Sequence, residues 1–237
     1  MSQNHTPFGF APYRLSGTVY GVLLNHAPAL AALGDAVHAP PYKAPPKAPV
    51  LYLKPRNTLS APGQAIDVPT DVPTLQIGAN LGAVIGRTAC RVSTAQALEF
   101  IAGYTIVNDL SVPHDAFFRP SVHFRALDGS CAIGPVHPRS RISDPDRLPV
   151  RIFIDGQLAQ STDTGNRQRA LAQLLADITD FMTLAPGDIV LLGTSHGAPT
   201  ARAGQRIAVE IEGLGRLENP LAAATGAAHD HPMEPHA

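Results

Sequence analysis

Short β-branched and apolar runs, each closed by turn-forming residues, constrain this chain more than any other feature. Thr18 to Leu24, Val50 to Leu53, Leu81 to Ile85, Tyr104 to Val107 and Val150 to Ile154 all have the length and composition of strands. Asp155-Gly156 separates Arg151-Ile152-Phe153-Ile154 from Gln157-Leu158-Ala159-Gln160. A two-residue type I′ hairpin needs positive φ at both central positions, and this dipeptide supplies them. Strands at this frequency point to a mostly β domain with a few helices, in the α+β class.

Two helices are expected between the strands. One covers Thr94 to Ala102 behind a Ser93 cap, and the other covers Asn166 to Thr183, where Leu171, Leu174, Leu175, Ile178, Phe181 and Met182 recur at steps of three and four. Pro186-Gly187-Asp188 turns the chain into Ile189-Val190-Leu191-Leu192, apolar throughout and so expected to be buried on both faces. That strand delivers Gly193-Thr194 to its end, where loops carry chemistry. The proline-dense segment 39–49 should run extended across the surface. No internal repeat or linker divides the 237 residues. The expected organisation is an arm at 1–16, one domain at 17–221 and a disordered tail at 222–237.

Composition narrows the partners. A formal charge of −1 offers no basic field for a phosphate backbone, which argues against nucleic acid. No run of about 18 apolar residues predicts a membrane span. Two cysteines, Cys90 and Cys131, make no disulfide framework or Cys-x-x-Cys pair. A cytoplasmic protein acting on a small neutral or anionic metabolite is the expectation.

Three constellations could carry chemistry. Gly193-Thr194-Ser195-His196-Gly197 matches G-x-S-x-G, but Ala198-Pro199-Thr200-Ala201 cannot supply the helix a nucleophile elbow needs, so a glycine turn is the better reading. His229, His231 and His236 belong to the tail, where a solvated segment is the ordinary explanation. Asn108 to Asp115, followed by Arg119, His123 and Arg125, gathers carboxylate, imidazole and guanidinium groups suited to an anionic ligand.

Read in order, Leu53-Lys54-Pro55, Val84-Ile85-Gly86-Arg87-Thr88-Ala89, Gly103 to Asp109, Asp128-Gly129, Thr183 to Asp188, Gly193-Thr194 and Ile211 to Pro220 resemble the fumarylacetoacetate hydrolase (FAH) superfamily. The resemblance implies a single-domain mixed β-roll around a deep site. It also implies Mg²⁺ or Mn²⁺ chemistry on a 2-oxo acid, in which the cation stabilises the enolate formed when a C–C or C–H bond breaks. In the family an E-x-E pair and an aspartate ligate the metal. Here Gly78 and Asn80 stand for the two glutamates, and Asp109 is the surviving ligand position. The family's H-x-x-E dyad, which handles water in its hydrolases, falls on Asn25 to Ala32, where no such dyad exists. Metal is therefore expected to bind weakly or not at all.

The segments Pro40 to Lys47, Lys54 to Thr58 and Phe117-Phe118-Arg119-Pro120 are similar to a branch of the family that decarboxylates and isomerises products of homoprotocatechuate cleavage. In that branch the amino-terminal half also lacks the glutamate pair. The resemblance implies 5-carboxymethyl-2-oxo-hex-3-ene-dioate decarboxylation and 2-hydroxyhepta-2,4-diene-1,7-dioate isomerisation in 4-hydroxyphenylacetate degradation. It further implies Lys54, Arg119 and Arg125 as clamps on the carboxylates of a dicarboxylate or tricarboxylate, Thr194 as a donor to an enolate oxygen, and Asp109 as ligand or base. A homo-oligomer, or a hetero-oligomer with a metal-bearing paralogue, is the implied assembly. A degenerate partner subunit is the alternative.

Overall fold

The computed structural model describes residues 17–40, 43–114 and 122–224. Arg119, the arm 1–16 and the histidines of the tail lie outside them. In chain order the elements are β1 (Val19–Leu23), α1 (Ala27–Ala31), β2 (Val50–Lys54), β3 (Leu59–Ser60), β4 (Ile66–Val68), β5 (Leu75–Ile85) and β6 (Ile101–Ser111). Then follow α2 (Val122–Arg125), β7 (Cys131–Ile133), β8 (His137–Pro138), β9 (Pro149–Ile154), β10 (Gln157–Asp163), α3 (Leu171–Phe181), β11 (Ile189–Leu191), β12 (Thr200–Ala201), β13 (Arg206–Ile211) and β14 (Gly215–Ala223). Strands dominate, as the sequence implies.

Nine strands form one sheet, with the path β2-β1-β11-β5-β6-β7-β3 and with β12 and β8 attached to β5 and β6. Five form a second sheet in the order β10-β9-β13-β14-β4. The main core includes Ile77 and Leu81 of β5, Ile106 and Leu110 of β6, and Ile207 and Val209 of β13. Helix α3 adds Leu171, Leu174, Leu175 and Ile178, all buried, each contributing roughly 1.5–3 kcal/mol of transfer free energy. Ile189, Val190 and Leu191 are buried throughout, as expected for a strand with β1 on one side and β5 on the other.

Several details differ from the sequence expectation. Residues 94–102 do not form an α-helix: Ala97–Phe100 make one 3₁₀ turn, and the chain enters β6 at Ile101, opposite Ile85. Pairing of a β-branched residue with the central strand outweighs the weak helical tendency there. Asn166 adopts φ +54°, a left-handed conformation that no helix continues, and helix α3 begins only at Leu171, after Ala170 at ψ 159°. Strands β5 and β6 extend well beyond the apolar runs at 81–85 and 104–107, through Gly78, Asn80, Asn108 and Asp109. At the other end, β14 reaches Ala223 beside Val68, two residues past the expected boundary at 221. The Asp155-Gly156 hairpin forms as expected, with φ +50° and +79°.

Candidate functional site

Strand alternation divides the Asn108-Asp109 motif between two faces of β6. Asn108 turns to the second sheet, where its Nδ2 donates to Asn219 Oδ1 at 3.2 Å. Asp109 turns to the opposite face and meets Lys54 at the end of β2, with Lys54 Nζ 3.0 Å from Asp109 Oδ1 and neither side chain exposed. The ammonium also donates to Ser130 Oγ at 2.9 Å, to the Leu110 carbonyl at 3.3 Å and to the Arg125 carbonyl. Tyr52 Oη donates to Asp109 Oδ2, and Arg125 lies 3.6 Å from the same oxygen while stacking on the Tyr52 ring. Burial, then the charge of Asp109, pushes the Tyr52 phenol well above its ordinary value, so it remains a donor.

This arrangement does not fit a hard divalent cation. Such an ion takes about six oxygen ligands, with carboxylates among them. The Asp109 carboxylate is already matched by an ammonium, a guanidinium and a phenol. Gly78 pairs directly with Asp109 across the sheet, and a Cβ at Gly78 would run into the Asp109 carbonyl oxygen. A glutamate therefore has no room on this backbone. Asn80 has turned to other work: its Oδ1 accepts from Gly193 N at 2.7 Å, and its Nδ2 donates to Thr194 Oγ1 at 3.1 Å. Among the described residues no three His, Cys, Asp or Glu side chains gather where they could hold an ion.

Above the buried cluster lies a cavity of about 280 Å³, which reaches Arg125 at one side and the turn after β11 at the other. The turn owes its shape to Gly193 at φ +103° and Gly197 at φ +69°, with no helix after it. Its side chains face the cavity together with Gln76, and Leu23, Leu24, Ala29, Ala32 and Leu33 form an apolar wall. No carboxylate is among these lining residues.

The hydroxyls of the turn are arranged as donors. Thr194 Oγ1 accepts from Asn80, and Ser195 Oγ accepts from Thr162 Oγ1 at 3.3 Å and from Arg167 at 3.5 Å. Their own hydrogens remain available to a ligand. Arg125 is 7% exposed and lines the cavity, and its Nε is buried with no hydrogen-bond partner among the described residues. Behind the turn, His26 Nδ1 accepts from His196 N at 2.9 Å. Burial lowers the His26 pKa to about 4, with Arg167 and His196 adding to the effect, so this imidazole is neutral at pH 7.

Of the residues singled out in the sequence, Thr194 and Arg125 thus come together on one cavity. Lys54 and Asp109 lie beneath it, in contact with each other and with no exposed side-chain surface. Sequence reasoning missed Tyr52, Gln76 and Ser195. Only the G-x-S-x-G match pointed near them, and for a different chemistry.

The chain matches the family described as "Fumarylacetoacetate (FAA) hydrolase C-terminal" over residues 18–222. It is 40% identical over 209 residues to the 4-hydroxyphenylacetate degradation bifunctional isomerase/decarboxylase of Salmonella dublin, covering 88% of this chain and 48% of the relative. It spans about half the length of the curated relatives it matches. Among solved structures it is similar to the 5-carboxymethyl-2-hydroxymuconate delta-isomerase of Mycobacterium smegmatis, with TM-score 0.75, 29% identity and coverage of 90% and 81% of the two chains. It is also similar to the fumarylpyruvate hydrolase of Pseudomonas aeruginosa in complex with Mn²⁺ and pyruvate, with TM-score 0.77, 25% identity and coverage of 94% and 98%. Among the described residues no helix is long and apolar enough to cross a membrane.

Proposed function

The chain belongs to the fumarylacetoacetate hydrolase family, and from that premise we propose that it isomerises or decarboxylates a small 2-oxo dicarboxylate or tricarboxylate without hydrolysing it. One observation carries this reading: a cavity with the Arg125 guanidinium, a turn of hydroxyl donors, an apolar wall and, among the described residues, no carboxylate on it. Arg125 clamps a substrate carboxylate through its planar fork. Thr194 donates to the oxygen on which enolate charge develops. Ala29 and Ala32 stand on the wall in the stretch where the family's hydrolases carry their water-handling dyad, and an apolar wall disfavours attack by water. Asp109 acts through Arg125, holding it in place, and does not touch substrate.

The metal that the family implies has no step in this account, because Lys54 supplies the positive charge beside Asp109. The names of the bifunctional relatives support isomerisation and decarboxylation in 4-hydroxyphenylacetate degradation, and the reactions we assign are 5-carboxymethyl-2-oxo-hex-3-ene-dioate decarboxylation and 2-hydroxyhepta-2,4-diene-1,7-dioate isomerisation. A second reading draws on the same Lys54–Asp109 pair: a degenerate subunit that completes an oligomer with a metal-bearing paralogue.

The purified chain should release CO₂ from the tricarboxylate, or shift the absorbance of the dienoate, in the presence of a chelator. Turnover that appears only when a metal-bearing paralogue is added would support the second reading instead. Light scattering should show an oligomer, because exposed edge strands gain by burial against a second subunit.

A further inference from the structure

Isomerisation of the hydroxydienoate moves a hydrogen from the enol oxygen to a carbon, and decarboxylation replaces a departing carboxylate with hydrogen. Either reaction needs a side chain on the cavity wall that both gives and takes a proton. Asp109 is not that group, since its carboxylate is buried under Arg125 and engaged by Lys54 and Tyr52. Of the polar lining residues, the guanidinium of Arg125 holds its proton and the amide of Gln76 neither gives nor accepts one usefully. The hydroxyls of Thr194 and Ser195 are donors of hydrogen bonds, not acids. His196 remains.

We propose that His196 is the proton-transfer residue of this cavity, an inference that rests on the isomerase/decarboxylase reading above. Its backbone is held from two sides: its N–H donates to His26 Nδ1 at 2.9 Å, and its carbonyl accepts from Gln160 Nε2 at 3.0 Å. Gly193 and Gly197 bracket the turn at positive φ, and His196 is an exposed residue of the cavity lining. The charged groups around it are Arg125 across the cavity, with Arg167, its neighbour Asp163, and His26 behind the turn.

In decarboxylation the bond to the leaving carboxylate breaks and its electron pair passes through the conjugated system to the 2-oxo oxygen. CO₂ departs, and the dienolate carbon takes one proton from the imidazolium of His196, which recovers it from solvent. In isomerisation the imidazole removes the proton of the 2-hydroxyl oxygen, the electron pair passes through the diene as the C=O bond forms, and the imidazolium returns the proton to a diene carbon, with no net change in protons.

The test compares His196→Gln and His196→Ala with the unaltered chain, in D₂O, using NMR of the product formed from the dicarboxylate or tricarboxylate. Because the imidazole is exposed, both variants should keep the thermal midpoint and the affinity for 2-oxoadipate. Turnover should fall by about 10²- to 10⁴-fold, the usual contribution of a positioned acid–base group. Added imidazole should restore part of it in His196→Ala. Wild-type turnover in either variant would overturn the proposal and leave the proposed function standing. A loss of 2-oxoadipate binding that matches the loss of turnover would also overturn it, assigning His196 to substrate binding. An unaltered chain with no turnover on either substrate would defeat the proposed function and this inference together.

Discussion

Two regions meet at Arg125 and handle charge in opposite ways. Beneath it, Tyr52, Lys54, Asp109 and Ser130 form a closed polar cluster in which the carboxylate and the ammonium are matched to neighbours within the fold. Above it, the turn at 193–197 holds its hydroxyl oxygens from behind and, among the described residues, gives their hydrogens no acceptor. The cluster is finished as it stands, whereas the cavity is where we propose that an anion binds. Charged residues in a family motif therefore need not contact substrate, since burial and pairing decide which do.

The largest effect should come from opening the cluster. Lys54→Met leaves Asp109 buried without its ammonium and should cost about 3–5 kcal/mol of stability, measured by denaturant unfolding. Lys54→Met with Asp109→Asn should recover a sizeable part of that loss, because the uncompensated charge is gone. A single-variant cost below about 1 kcal/mol would mean that solvent reaches the pair and that the cluster is not closed. A smaller effect is expected at Gly78. Gly78→Ala should cost about 1–3 kcal/mol, as the new Cβ pushes β5 from β6. Gly78→Glu should gain no Mg²⁺ affinity by calorimetry; micromolar binding would show that the strands yield and the metal site can be rebuilt.

The smallest effect at neutral pH belongs to His26. Its folded pKa of about 4 lies below the ordinary value near 6.5, so the fold favours the neutral ring. The stability this lends is complete above pH 6.5 and is lost as pH falls from 6.5 towards 4, since the unfolded chain takes up the proton first. His26→Gln should flatten unfolding free energy over that window while changing little at pH 8. An unchanged slope would show that the turn is not held by a neutral imidazole.

Much of the frame was legible in the sequence, and the reasons are local. The Asp155-Gly156 hairpin follows from turn chemistry, and the burial of Ile189 to Leu191 follows from an unbroken apolar run. The full length of β5 and β6 was hidden because Gly78, Asn80, Asn108 and Asp109 interrupt their apolar pattern, and only cross-strand pairing makes them strand residues. The helix expected at 94–102 gave way to the same pairing. Thr194 and Arg125, which line the cavity, were named from the family resemblance. That Lys54 would turn inward to Asp109 could not be read from it, because a lysine at a strand end reads the same whether it faces water or a buried carboxylate. Ser195 was visible only as a rejected nucleophile, since its partners Thr162 and Arg167 lie about 30 positions away in the chain.

The central claim is that the anion site is the cavity above Arg125 and that it works without a divalent ion. Calorimetric titration of 2-oxoadipate tests it most directly, on the unaltered chain, Arg125→Ala and Arg125→Lys, each with chelator and with excess Mg²⁺. The account predicts the same affinity in both solutions. It predicts a loss of about 1.5–3 kcal/mol in Arg125→Ala, the range for a hydrogen bond to a charged group, and partial recovery in Arg125→Lys, which keeps the charge but loses the fork. Binding that vanishes with chelator and is indifferent to Arg125→Ala would contradict it.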